Sequence, residues 1–271
     1  MTWTTQPRSN VSAEFGALSY VRMGSGAPLV LIHGVGLLAE SWAGVIPGLA
    51  YQFTVYAIDM PGHGASPLAG EETLDDYAAR IVSFITRLEG SICIAGHSMG
   101  AALAVHIAGL MPEKICAVAA LNAIYRRSDA AKDAVQKRAT ALRGATDPTP
   151  TLIRWFGATP EGKIKAAALA CDEWLRSGDA DGYANAYKVF ASHDGPTDTS
   201  LAALKMPALF MTGAHDLNST PAMSQAMAKM APLGQTHVSD TAAHMMPMTH
   251  CGDVGRVLSE FFENAGGKHV I

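Results

Sequence analysis

The sequence predicts an α/β fold in which a doubly wound, mostly parallel sheet carries helices on both faces. Five short apolar runs are continuous rather than alternating, which is typical of parallel strands buried on both faces. They occupy residues 29–33, 55–59, 92–96, 117–121 and 208–212. Helical patterns lie between several of these runs and after the last, at 74–88, 99–111, 221–230 and 253–264. The alternation of strand and helix predicts the doubly wound arrangement. Segments 13–14 and 17–22 predict an antiparallel pair at one edge of the sheet.

The rhythm of strands stops between residues 123 and 201. Helical stretches at 130–142, 163–175 and 182–190 occupy this segment, separated by TDPTP and HDGPTD. A structureless loop of that length is improbable in a compact domain, so the sequence predicts a helical cap inserted after the sixth predicted strand. The expected organisation is a core of residues 1–122 and 202–271 with a cap of residues 123–201. Aromatic side chains of the cap could line a substrate pocket or pack the cap helices together.

Composition and charge are those of a packed globular enzyme. Hydrophobic residues make up 49% of the 271 residues and charged residues 16%, without a polar low-complexity tract. A formal net charge of −4 gives no electrostatic reason to bind nucleic acid. We expect a small-molecule substrate, no nucleic-acid partner and no membrane partner, and the oligomeric state is left open.

Neither targeting signals nor metal-binding patterns stand out. The opening MTWTTQPRSN lacks the basic flank and apolar run of a signal peptide, and no apolar stretch reaches the roughly 18 residues needed to cross a bilayer. A cytoplasmic protein is therefore expected. The four cysteines are widely spaced without a CxxC pattern, so neither a zinc site nor a disulfide framework is expected.

A serine flanked by glycines follows the third apolar run. Gly96-His97-Ser98-Met99-Gly100 precedes a helical pattern rich in small residues, which is the strand, turn and helix that a nucleophile elbow requires. Ser98 would adopt a positive φ there, which fits only if the residues two before and two after it have almost no side chain. A glycine-rich turn without catalytic function could carry the same pattern. The strand before it and the helix after it favour a nucleophile.

A serine nucleophile needs a base and an orienting acid further along the chain. Asp216 lies in TGAHD directly past a predicted strand, and His244 lies in AAHMMP before the last predicted helix. Strand ends at the carboxyl edge of an open α/β sheet are where sites gather. With ten histidines, a single loop histidine is expected by chance, but Ser98, Asp216 and His244 in this order predict a catalytic triad. Asp59 is the next candidate should the acid lie elsewhere.

The glycine-rich HGVG segment after the first strong strand predicts an oxyanion hole. It lets the backbone N–H of Val35 point at the same spot as the N–H of Met99. His33 could in principle be a base, but its position at a strand end before glycines indicates a hydrogen bond that shapes the loop. His63 and His97 receive the same structural interpretation.

Five segments together resemble the α/β-hydrolase superfamily, and they span nearly the whole chain outside the predicted cap. They are LVLIHGVG, IDMPGHGAS, IAGHSMG, MTGAHD and AAHMMPMTH. The resemblance implies the α/β-hydrolase fold, with Ser98, Asp216 and His244 as the triad. It also implies Val35 and Met99 as oxyanion donors, and hydrolysis without a metal or an organic cofactor.

Two stretches of the cap are similar to oxoadipate enol-lactonases and their carboxylesterase neighbours. These stretches are Arg154-Trp155-Phe156 and GYANAYKVFASHD, and the resemblance makes the first three residues candidate substrate contacts. It implies cleavage of a small carboxylic ester or lactone through an acyl-enzyme. Cofactor-free perhydrolases share the triad, whereas Ser98 argues against dehalogenases and epoxide hydrolases, which use an aspartate. The alternative from another class is a ligand-binding protein that kept the hydrolase fold.

Arginines in the cap region bear on the charge of the substrate. If the substrate is an anionic lactone of the oxoadipate type, at least one of them should bind its remote carboxylate by paired hydrogen bonds. The candidates are Arg126, Arg127, Arg138, Arg143 and Arg154. Arg154 is the first choice, because the enol-lactonase resemblance includes it. If none of them distinguishes acidic from neutral substrates, a general carboxylesterase is the better interpretation.

Overall fold

The computed structural model describes residues 18–142 and 147–266 of the chain. Seven strands in this part of the chain form one sheet, in the order β1-β3-β2-β4-β5-β6-β7. They are β1 (Tyr20–Met23), β2 (Ala27–Ile32), β3 (Phe53–Ile58), β4 (Ile92–His97), β5 (Ile115–Leu121), β6 (Ala208–Gly213) and β7 (Gly234–Ser239). β1 is antiparallel to β3, and the other neighbours run parallel. The prediction of a mostly parallel, doubly wound sheet is confirmed.

The two edges of the sheet differ from the predicted pattern. Residues 13–14 and 17 of the predicted antiparallel pair lie outside the described residues. The remainder forms β1, whose partner is β3, with Tyr20 opposite Ile58. At the other edge, β7 was not predicted, because GQTHVS is polar and only partly buried and so lacks an apolar run.

Helices occupy most of the remaining described chain. They are α1 (Ile46–Leu49), α2 (Leu74–Ile85), α3 (Met99–Leu110), α4 (Asp129–Ala141), α5 (Thr149–Phe156), α6 (Gly162–Ser177), α7 (Ala180–Ser192), α8 (Asp198–Ala202), α9 (Pro221–Met230), α10 (Met246–Thr249) and α11 (Cys251–Gly266). None of the helices in residues 18–142 and 147–266 combines the length and the apolar character needed to cross a bilayer.

Core side chains of one strand alternate between two hydrophobic clusters, one on each face of the sheet. Val30 and Ile32 of β2 belong to the cluster that α2 and α3 cover. Leu29 and Leu31 belong to the other cluster, which α1 and α11 cover. Because neighbouring residues of a strand point to opposite faces, a strand with apolar residues at every position is buried on both sides.

Five helices, α4 to α8, lie between β5 and β6, where the cap was expected. The helices α4, α6 and α7 occur where the sequence predicts helices, whereas α5 and α8 were not predicted. The segment follows the fifth strand counted from Tyr20, because the prediction counted residues 13–14 as an additional strand. We call α4 to α8 the cap helices. The domain boundaries given above stay a prediction.

Candidate active site

Ser98 lies in a sharp turn between β4 and α3, at the N-cap of that helix. Its φ of 56° and ψ of −117° fall where residues with a side chain are rarely found. Glycines make the turn possible: a Cβ on Gly96 would overlap the carbonyl of Gly100, and a Cβ on Gly100 would overlap the carbonyl of Ile32. The turn brings Ser98 to the wall of a cavity.

Asp216 and His244 form a buried pair at the carboxyl edge of the sheet. Nδ1 of His244 lies 2.9 Å from Oδ2 of Asp216, and the two residues are 8% and 2% exposed. Burial alone would raise the pKa of Asp216, but the charge and hydrogen bond of His244, with further donors, lower that pKa to about 2. An ionised carboxylate only accepts hydrogen bonds, so it fixes the proton of His244 on Nδ1. Nε2 is then free to act as a base, and His244 lines the same cavity as Ser98.

Four donors in total hold the Asp216 carboxylate. The backbone N–H groups of Asn218 and Ser219 donate to Oδ1 at 2.9 and 3.1 Å. Nδ2 of Asn122 donates to Oδ2 at 2.8 Å. Sequence reasoning missed Asn122, which stands directly after β5 with a φ of 53°. A polar residue at the carboxyl end of an apolar run was the signal that could have found it.

Three histidines support the loops around this pair, as their sequence positions indicated. Nε2 of His97 donates to the carbonyl oxygen of His244 at 2.7 Å. Nε2 of His33 accepts from a backbone N–H in the loop after β3. Nε2 of His63 accepts from a backbone N–H in the loop after β2. Burial lowers the pKa of His63 to about 4, and burial together with the charge of His244 lowers that of His97 to about 3. Both imidazoles are therefore neutral at pH 7.

Val35 and Met99 are the candidate oxyanion donors. Val35 lines the cavity. Met99 is the first residue of α3, and the first N–H groups of a helix have no acceptor within it. The HGVG loop approaches the serine closely, because a Cβ on Gly34 would lie 3.1 Å from Cβ of Ser98. The side chain of Met99 is buried in the core, so only its backbone can serve the site.

The cavity beside Ser98 has a volume of about 360 Å³ and lies beneath the cap helices. Its cap side includes four aromatic residues, Trp155, Tyr183, Tyr187 and Phe190. The ring of Trp155 stacks on the imidazole of His244, with 6.5 Å between centroids and an angle of 25° between the planes. A site of this size and character suits a small, partly apolar substrate.

Only two of the three candidate substrate contacts from the cap lie at the cavity. Arg154 and Trp155 line the cavity, whereas Phe156 does not. Phe156 is instead buried in a separate hydrophobic cluster with Leu37 and Met245, where it joins α5 to the core. In an amphipathic helix neighbouring residues point in different directions, so adjacent positions in the sequence need not share a site.

Two further arginines reach the cavity beside Arg154. The lining residues include Arg127 and Arg138, and no aspartate or glutamate of the described residues lines this cavity. Arg126 instead forms an ion pair with the carboxylate of Asp198. Arg143 lies outside the described residues. The wall under the cap is therefore cationic.

Comparisons with known proteins identify the family and the fold. The model of the alpha/beta hydrolase family matches residues 29–255. The (E)-2-((N-methylformamido)methylene)succinate hydrolase of Acinetobacter baylyi is 36% identical over 247 residues, which cover 90% of this chain and 93% of that protein. The solved enol-lactonase from Burkholderia xenovorans LB400 has a TM-score of 0.81 at 21% identity, covering 95% of this chain and 100% of its own. A thermophilic esterase from Thermogutta terrifontis, solved with malate bound, has a TM-score of 0.81 at 23% identity, covering 97% and 99%. These two structures share the fold.

Proposed function

The chain belongs to the α/β-hydrolase family and is a hydrolase, and we propose that it cleaves a small carboxylic ester or lactone through an acyl-enzyme on Ser98. The observation that carries this proposal is the Asp216–His244 pair, with 2.9 Å between Nδ1 and Oδ2. The imidazole opens onto the same cavity as Ser98, whose strained turn suits a nucleophile. A small-molecule substrate fits the size of that cavity.

In the proposed mechanism, Ser98 Oγ attacks the carbonyl carbon of the substrate while Nε2 of His244 accepts the hydroxyl proton. Asp216 stabilises the resulting imidazolium without taking its proton. As the tetrahedral intermediate collapses, the bond from carbon to the leaving oxygen breaks, and His244 gives its proton to that oxygen. Water then attacks the acyl-serine with His244 as base, which releases the acid and restores the Ser98 hydroxyl.

The negative oxygen of each tetrahedral intermediate needs donors that are already in place. We assign this role to the N–H groups of Val35 and Met99. Removing one such donor in a serine hydrolase costs about 3 kcal/mol of transition-state stabilisation. The N-terminus of α3 adds a favourable dipole, because Met99 begins that helix.

Labelling with a fluorophosphonate probe tests the nucleophile. The wild-type protein should be labelled on Ser98, and Ser98→Ala should lose labelling and turnover by a thousandfold or more, roughly the cost of losing a catalytic nucleophile. Ser128→Ala is the matched control, because Ser128 also lines the cavity but caps α4 through its hydroxyl. Labelling that survives in Ser98→Ala would assign the nucleophile elsewhere. A wild-type protein that is not labelled would favour a ligand-binding protein with the hydrolase fold.

A second candidate function is hydrolysis of an N-acyl bond in a succinate derivative. The relative from Acinetobacter baylyi, 36% identical over 90% of this chain, is named for a substrate with an N-methylformamido group and a succinate skeleton. The same triad would serve an amide, with nitrogen in place of oxygen as the leaving atom. Assays of the purified protein with that compound and with simple esters and lactones separate the two candidates.

Oxoadipate enol-lactone hydrolysis and perhydrolysis use the same catalytic groups. An enol-lactonase would turn over a lactone that carries a carboxylate better than a neutral lactone. A perhydrolase would form peracid from a carboxylic acid and hydrogen peroxide. Including these substrates in the panel distinguishes each from a general carboxylesterase.

A further inference from the structure

We propose that Arg127, Arg138 and Arg154 form an anion-binding wall of the cavity, and that the substrate carries two free carboxylates apart from the bond that is cleaved. This inference rests on the proposed function, because the cavity is the one onto which Ser98 opens. It concerns the part of the substrate that does not react.

Arg138, on α4, has a hydrogen-bond donor that nothing in the described chain uses. Its guanidinium lies over the ring of Tyr187, 5.3 Å from the centroid, and Nη2 donates to Oγ1 of Thr151. Nε is buried and has no hydrogen-bond partner. A buried donor of a charged group is costly to leave unpaired, and a ligand carboxylate in the cavity would satisfy it.

Arg127 presents a second such donor. Its side chain is only 5% exposed, and Nε donates to Oδ1 of Asp194 at 3.1 Å while Nη2 donates to backbone carbonyls of α7 and the loop after it. The guanidinium also lies over the ring of Phe190, 5.1 Å from its centroid. These contacts hold the planar group rigidly, yet Nη1 is buried without a partner. A donor fixed by several contacts binds a ligand with little further loss of side-chain freedom.

The charge of the wall indicates how many carboxylates it suits. Arg127 has Asp194 as its counter-ion, although Asp194 also pairs with Lys132 at 3.0 Å. Among the described residues, neither Arg138 nor Arg154 forms an ion pair with a carboxylate, although other arginines do. Two guanidinium charges of the lining therefore lack a carboxylate partner, which matches a dianion rather than a monoanion.

Tyr187 links the two uncompensated charges. Burial raises the pKa of this phenol, whereas the charges of Arg138 and Arg154 oppose that rise. Both guanidinium groups are thus close enough to Tyr187 to act on it. Arg138 lies over the ring of Tyr187, and Arg138, Arg154 and Tyr187 all line the cavity, so one small ligand can meet both charges.

Calorimetric binding to the Ser98→Ala protein tests this wall without requiring catalysis. The probes are succinate, its monomethyl ester and butyrate, which have similar length and carry two, one and one negative charges. We expect succinate to bind at least tenfold more tightly than either monoanion. Equal binding of succinate and monomethyl succinate would overturn the assignment to a substrate with two carboxylates, and no detectable binding of any of the three anions would overturn the arginine wall.

Arginine variants identify the donors. Arg138→Met should weaken succinate binding roughly tenfold to a hundredfold, the usual effect of losing a charged hydrogen bond. Lys137→Met is the matched control, because Lys137 is the exposed neighbour on α4 and does not line the cavity. Arg127→Lys, which keeps the charge but loses the planar fork, covers the case in which Arg138→Met misfolds. Unchanged succinate binding in folded protein of both arginine variants would overturn the proposal.

The outcome is separable from that of the proposed function. Fluorophosphonate labelling of Ser98 reports on the triad alone, and succinate binding reports on the wall alone. Labelling without preferential succinate binding would leave a serine hydrolase of neutral substrates. Preferential succinate binding without labelling would leave a dicarboxylate site in a protein with another reaction.

Discussion

Nδ2 of Asn122 and Nδ1 of His244 meet the same oxygen of Asp216, at 2.8 and 2.9 Å respectively. Asn122 therefore fixes the rotation of the carboxylate that faces the imidazole, and it adds to the stabilisation of the anion. Its own Oδ1 is buried without a hydrogen-bond partner, so the amide is held in place mainly through its donors. We interpret Asn122 as a positioning residue that acts on His244 through Asp216.

Asn122→Ala should lower kcat about tenfold to a hundredfold and leave KM nearly unchanged. Hydrogen bonds to charged groups contribute about 1.5–3 kcal/mol, and Asn122 does not line the cavity, so substrate binding should be spared. Steady-state kinetics on the best substrate measure both constants. Asn185→Ala is the control, because this amide donates to Tyr77 and to a backbone carbonyl away from the pair. A rise in KM with an unchanged kcat would contradict the positioning role.

Asp216→Asn should lower kcat by about 10³ to 10⁴. An amide lacks the negative charge that stabilises the imidazolium, and it allows the wrong tautomer of the histidine. Because the pKa of Asp216 is about 2, the wild-type carboxylate is ionised at every pH above about 4, so kcat of the two proteins should be compared in that range.

Asp59→Asn is the comparison for that variant. The Asp59 carboxylate accepts from the backbone N–H groups of Ala39 and Ala65, and it does not line the cavity. We therefore expect Asp59→Asn to reduce stability more than chemistry. Near-normal kinetics for Asp216→Asn combined with a large loss of kcat for Asp59→Asn would move the acid to Asp59.

Local sterics and burial explain what the sequence could predict. β2 and β4 were predictable because both faces of a buried parallel strand are apolar. The turn at Ser98 was predictable because only glycine at positions 96 and 100 avoids overlap with neighbouring carbonyl groups. β7 was not predictable, since an edge strand needs no apolar run. The buried strands and the turn depend on a few neighbouring residues, which a single sequence displays.

The missed features depend on contacts between distant segments. Asn122 is 94 residues from Asp216; its place at a strand end indicates a candidate site residue, but not which residue is its partner. Among the cap arginines, the sequence made Arg154 the first choice and Arg138 one of the other candidates. The packing of α4 against α7 buries Nε of Arg138 beside Tyr187, whereas Arg154 remains exposed. Tertiary packing decides which arginine side chain is buried away from water.

Gly100→Ala should destabilise the fold by more than about 2 kcal/mol, because its Cβ would overlap the carbonyl groups of Ile32 and His33. Gly109→Ala is a matched control in the same helix, since a Cβ there meets nothing within 4 Å. That substitution should stabilise by about 0.5–1 kcal/mol through helix propensity. Urea denaturation measures both. Equal effects of the two substitutions would show that the turn has room for a side chain.

Acid should destabilise the protein from about pH 6.5 downward through its buried histidines. The folded-state pKa values, about 4 for His63 and about 3 for His97, lie below the ordinary value of 6.5. The unfolded chain therefore binds more protons between these values, and the free energy of unfolding falls as the pH drops through that window. Each histidine contributes a slope of up to about 1.4 kcal/mol per pH unit.

His63→Gln should remove one such slope. Glutamine can still accept from the backbone N–H of Gly36 and donate to the carbonyl of Pro61, as the imidazole does, but it does not titrate. Urea denaturation at pH 7, 6 and 5 should therefore show a shallower fall in the free energy of unfolding for the variant than for the wild type. Adding His97→Gln should reduce that slope further. The same slope in His63→Gln and wild type would mean that His63 binds its proton in the folded state, and that burial does not keep this imidazole neutral.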